Sequence, residues 1–96
     1  LGLRKARLAW YIVLDLFKEG DMEGTLEELD NMLDGIDQSF KDIGRDNNTQ
    51  YFLKVYSDEI TMIMAMLGRR EMLKDMRELD PDRHETYQTA LDSISK

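Results

Sequence analysis

Gln50–Leu67 reads QYFLKVYSDEITMIMAML, and twelve of these eighteen residues are apolar. On a helix advancing about 100° per residue, Phe52, Leu53, Tyr56, Ile60, Ile63, Met64 and Leu67 fall on one face. A second apolar stripe, Tyr51, Val55, Met62, Ala65 and Met66, falls nearly opposite. A helix that is apolar on two sides must be covered on two sides. The stretch is therefore expected to be a central element, with the other helices, or a second chain as well, packed around it.

The remaining periodicity is helical throughout. Helix one should run from Leu3 to Glu19, with Ala6, Ala9, Trp10, Val13 and Phe17 deepest and Gly20 closing it in the left-handed conformation. Leu8 and Tyr11 lie on the stripe shared by Arg4, Asp15 and Lys18, where water is expected, and so mark a contact beyond the local hairpin. Asp21 can cap the next helix, and Thr25 with Glu28 forms a competing capping box. Met22, Leu26, Leu29, Leu33, Ile36, Phe40 and Ile43 then recur at intervals of four and three. That seam has a period of about 3.5 residues, as in left-handed bundles, and predicts one helix through Gly35 to Gly44.

Gly44–Thr49 (GRDNNT) is the clearest loop, with Asn48 a suitable cap for the helix that follows. Asn47-Asn48-Thr49 matches a glycosylation sequon, read here as chance because no signal peptide opens the chain. Gly68 allows either a turn or one long helix; because no second breaker accompanies it, the central helix is expected to continue, straight or merely kinked, into the stripe Met72, Leu73, Met76 and Leu79. Asp80-Pro81 is a firm boundary, with Asp80 as the cap. The last helix, Asp82 to Ser95, carries His84, Tyr87, Ala90, Leu91 and Ile94 on one face. The fold class is all-α: one domain over residues 1–96, a bundle of four to five antiparallel helices with long second and central members.

Composition excludes several classes of function. There is no cysteine, hence neither a disulfide framework nor a thiolate site. A net charge of −7 disfavours attraction to nucleic acid or anionic membrane. The longest strongly apolar run, Leu8–Phe17, is about half a membrane span, and the default location is cytoplasmic. The chain opens at Leu1, which fits a fragment or a processed start. Glu19–Asp42 holds nine acids against one base, while Arg69, Arg70, Lys74 and Arg77 form a basic cluster interleaved with Glu71, Asp75 and Glu78.

No catalytic pattern emerges. The single histidine, His84, has Asp80 four residues before it, but Pro81 breaks the Glu-x-x-His arrangement of di-iron bundles, and a partly buried structural role is expected for it. The pairs Glu27–Glu28 and Asp58–Glu59 could do acid–base work only in a desolvated cleft. Neither an enzyme activity, a metal nor a cofactor is expected. Methionine is the unusual count: of seven, five (Met62, Met64, Met66, Met72 and Met76) lie within fifteen residues, and flexible thioethers adapt to varied apolar partners.

Phe17–Leu33, FKEGDMEGTLEELDNML, resembles the inter-helix turn and second helix of a tetratricopeptide repeat, and that resemblance implies a peptide-binding scaffold. Thr25 and Met32 stand where that family has small alanines, and the stretch is less than a fifth of the chain. The first expectation is instead a protein–protein interaction module that dimerises with itself or takes a heterologous helix, with Leu8, Tyr11, Tyr51, Val55, Met62 and Met66 at the contact. The alternative of another class is an acidic nucleic-acid-related regulator, acting as a phosphate-backbone mimic or binding weakly through Arg69–Arg77.

Overall fold

Helix α1 (Gly2–Glu19) stops where Gly20 takes the left-handed conformation, φ 82°. The amides of Gly20 and Asp21 bond back to the carbonyls of Phe17 and Leu16, closing the last turn. In the computed structural model, which describes residues 1–95, four further α-helices follow: α2 (Met22–Ile43), α3 (Asn47–Met66), α4 (Arg70–Leu79) and α5 (His84–Ile94). A 3-10 turn, Pro81–Arg83, leads into α5, and no strand occurs among the described residues. The fold is all-α. The helices group into two compact units, Leu1–Thr49 and the residues from Gln50 onward.

In the first unit α1 and α2 form an antiparallel hairpin. Gly2 meets Ser39, Lys5 pairs with Asp34 at 2.9 Å, and the Leu16 side chain lies over Gly24. Trp10, Ala6, Ala9 and Val13 of α1 are buried, as the spacing predicts, whereas Phe17 is half-buried. On α2 the buried line is Thr25, Leu29, Met32, Ile36 and Ser39. The expected seam shares Leu29, Leu33 and Ile36 with that buried face, but its ends, Met22 and Ile43, are exposed. The buried face is turned toward the small residues Gly35 and Ser39, because these let the backbone of α1 come close. Full burial of Leu29, Met32 or Ile36 contributes about 1.5–3 kcal/mol each.

The caps follow local chemistry. The Asp21 carboxylate accepts from the Gly24 amide at 2.9 Å, so the Thr25–Glu28 box is not the one used; the Thr25 hydroxyl donates instead to the Asp21 carbonyl. Before α3 the cap is Asp46, which accepts from the Thr49 amide at 2.9 Å, and not Asn48. Burial alone would raise Asp46, but hydrogen bonds from Thr49 and Ser39 outweigh it and hold the carboxyl below its ordinary value. The Thr49 hydroxyl is buried against that of Ser39 at 2.8 Å, and Arg45 stacks on the Phe40 ring.

In the second unit the expected continuation past Gly68 does not occur. Gly68 adopts φ 66°, its amide bonds to Ala65 and the Arg69 amide bonds to Met64. This is the closure already seen at Gly20, and it ends the helix with no second breaker. The helices α4 and α5 are antiparallel, tied by Arg70 to Ser95 and by Arg77 to Gln88. Met72, Leu73 and Met76 of α4 are buried, as are Tyr87, Ala90 and Leu91 of α5.

Asp80 departs from its expected role. Its side chain makes no cap bond; it is buried and accepts from the Tyr87 hydroxyl at 2.6 Å and from Arg83 at 3.1 Å. The Arg83 amide bonds to the Asp80 carbonyl at 3.1 Å, so the turn closes without the carboxylate, which turns inward. His84, expected to be partly buried, is exposed.

Candidate functional site

Helix α3 separates its two apolar faces cleanly. Phe52, Leu53, Ile60, Ile63 and Met64 are buried, with Tyr56 and Leu67 half-buried at the margin. The opposite stripe is open: Val55 is 45% exposed, Met62 54%, and Tyr51 and Met66 66% each. The expectation that both faces are covered therefore fails within this chain. Four large side chains at intervals of four, seven and four leave an apolar line about 22 Å long facing solvent. Lys54 borders the stripe on one side and Glu59 on the other, with Asp58 near its midpoint; all three are exposed.

The second open face is on α1. Leu8 is 56% exposed, and Tyr11 and Ile12 are exposed beside it. Leu8, Ala9 and Ile12 line a shallow apolar groove of about 430 Å³ between α1 and α2, with Arg4 on the α1 side and Glu28 and Asn31 on the α2 side. Tyr11 is exposed but stands outside that lining, whereas Ile12, not among the residues expected at the contact, is part of it. The signal for Ile12 was its distance of four from Leu8, masked because the whole run from Leu8 to Phe17 is apolar but for Asp15. The six residues read from the sequence thus form two faces. Leu8 and Tyr11 belong to the first unit; Tyr51, Val55, Met62 and Met66 belong to the second.

The other candidates are engaged or isolated. In the basic cluster Arg70 bonds Ser95, Arg77 bonds Gln88 and Lys74 pairs with Glu71, leaving Arg69 exposed. Glu27, Asp58 and Glu59 are exposed and Glu28 is half-buried on the open groove, so neither carboxylate pair has the desolvated surroundings that acid–base work needs. The cluster of Asp80, Arg83 and Tyr87, touched by Ser57 of α3, is a satisfied buried network. Among the described residues no group of three or more His, Asp or Glu side chains is placed to hold a metal ion. No helix among them is long and apolar enough to cross a membrane. Compared with family models, curated proteins and solved structures, the chain matches none.

Proposed function

We propose that the chain is a non-enzymatic protein–protein interaction module that associates with itself through its open apolar helix faces, the homodimer being the simplest form. The observation that carries this reading is the α3 stripe. Single exposed apolar residues are ordinary on a protein surface, but Tyr51, Val55, Met62 and Met66 stand in one line along one helix. Two methionines in that line suit a contact whose partner surface is irregular, since a thioether chain repacks at low cost. An aromatic ring at the end of the line supplies a large anchor of the kind on which interfaces concentrate their energy.

The nucleic-acid alternative has less to support it, because three of the four cations in Arg69–Arg77 are engaged within the chain. The test is sedimentation velocity across concentration at two ionic strengths. The expected result is a mass that rises from one chain to two or more with modest salt dependence. A strict monomer at high micromolar concentration would refute self-association, and partner binding that falls steeply with salt would favour the charged reading.

A further inference from the structure

If copies associate, α3 pairing with α3 is the obvious arrangement, and the charges argue against it. The stripe is symmetric about its midpoint: an antiparallel pair sets Tyr51 opposite Met66 and Val55 opposite Met62. The same register sets Asp58 of each copy opposite Glu59 of the other, four carboxylates at the centre of the contact. A parallel pair sets Asp58 against Asp58. Like charges brought together while water is being excluded are unfavourable in either case.

The groove between α1 and α2 offers a better match. It is apolar along its floor and carries opposite charges on its two sides, Arg4 from α1 and Glu28 from α2. The α3 stripe also carries opposite charges on its two flanks. Lys54 and Glu59 are five residues apart and so lie about 140° apart around the helix. Arg4, Lys54 and Glu59 are exposed, and none of the three is in an ion pair among the described residues. A helix laid in a groove presents one flank to each wall, and reversing its direction exchanges the flanks. One direction places Glu59 at Arg4 and Lys54 at Glu28, both attractive; the other makes both contacts repulsive. Asn31 adds a neutral amide able to donate to Asp58. The α1 side of the groove spans Leu1 to Ile12, about 16 Å, so it takes roughly three quarters of the stripe at a time.

We infer that self-association, on the reading above, seats the α3 stripe of one copy in the α1–α2 groove of another. Glu59 then lies on Arg4, Lys54 on Glu28, Val55 against Leu8 and Ile12, and Met62 toward Leu1 at the groove's other end. The occupant of the groove is a second copy of this chain. Where the exchange is reciprocal it closes as a two-fold pair, and where it is not it propagates from copy to copy.

The test uses two blocked copies of the full chain, Leu8→Glu for the groove and Met62→Glu for the stripe. Both positions are exposed, and circular-dichroism melting checks that each variant keeps the native fold. Light scattering on each variant alone is expected to give one chain, and an equimolar mixture is expected to give a discrete mass of two chains. Either variant pairing with itself, or a mixture that stays monomeric while the unmodified chain associates, overturns this contact and leaves self-association standing. An unmodified chain that stays monomeric overturns both. For the charges, Arg4→Glu is expected to weaken association about fivefold and Glu59→Arg in the same chain to restore it. An Arg4→Glu chain that associates undiminished overturns the pairing.

Discussion

Gly2 and Gly35 meet backbone to backbone where α1 crosses α2. A Cβ on Gly35 would stand 2.6 Å from the Gly2 carbonyl oxygen and 2.7 Å from the Ala6 nitrogen, and one on Gly2 would stand 2.5 Å from the Gly35 oxygen. These neighbours are main chain, so they cannot swing away as a side chain could. Helix propensity alone says that Gly35→Ala stabilises α2 by about 1 kcal/mol. The crossing reverses the sign: the hairpin must open to admit the methyl, at an expected net loss of about 1–3 kcal/mol. Urea unfolding of the variant measures this, and a midpoint at or above that of the unmodified chain would show that the crossing is not tight.

Gly68 is a different case, because a Cβ there meets nothing within 4 Å. Only its left-handed backbone, φ 66°, resists substitution. Gly68→Ala is expected to cost about 1–2 kcal/mol through that conformation alone, and Gly68→Asn less, because asparagine tolerates it. Thermal melting of the pair gives the order. Equal losses for Ala and Asn would mean that something other than backbone strain is at work.

The contrast between these two glycines shows what could be read from the sequence. Gly20 was legible as a stop because Asp21, a capping residue, begins the next helix immediately. Gly68 makes the same pair of reverse hydrogen bonds, but Arg69 after it gives no capping signal, so the break was hidden. Conversely helix propensity alone makes Gly35 a weak position in α2, whereas its role is packing against α1, which needs the partner helix to be seen. The faces of α3 were separable from spacing alone, since burial divides Phe52, Ile60 and Met64 from Tyr51, Met62 and Met66 along the lines the helical wheel draws. That the second face stands open among the described residues was not legible, because periodicity reports which residues share a side and not what lies against it. Asp80 misled for a related reason: Asp before Pro reads as a cap, and only the Tyr87 hydroxyl at 2.6 Å shows that the carboxylate turns inward.

Tyr87 ties that carboxylate to α5. Burial, and then the neighbouring Asp80 carboxylate, push ionisation of its hydroxyl far above the ordinary tyrosine value of 10.0. The native chain therefore holds this proton more tightly than the unfolded one. The stability it supplies is fully present below pH 10.0 and falls as the pH climbs beyond it. Tyr87→Phe removes a donor from a buried acceptor and is expected to cost about 1–3 kcal/mol at pH 7. The same variant should lose less between pH 9 and pH 11 than the unmodified chain does, at the roughly 10.0 threshold set by free tyrosine. Unfolding curves at the two pH values decide; parallel falls in both proteins would remove Tyr87 from the alkaline response.

Met62 and Met64 are two residues apart on α3 and face opposite ways, 54% and 0% exposed. In dilute solution, where one chain must stand alone, Met64→Ala should cost about 2–5 kcal/mol, because it opens a cavity among buried side chains. Met62→Ala should change stability by no more than about 0.5 kcal/mol, because its side chain already meets water. Raising the protein concentration separates them further. An association that buries the stripe stabilises the unmodified chain by mass action, while the Met62 variant gains less. Melting temperatures measured across a hundredfold concentration range therefore test the interface without isolating it. If Met62→Ala lowered stability as much as Met64→Ala at the lowest concentration, the stripe would be part of the chain's own core and unavailable to a partner.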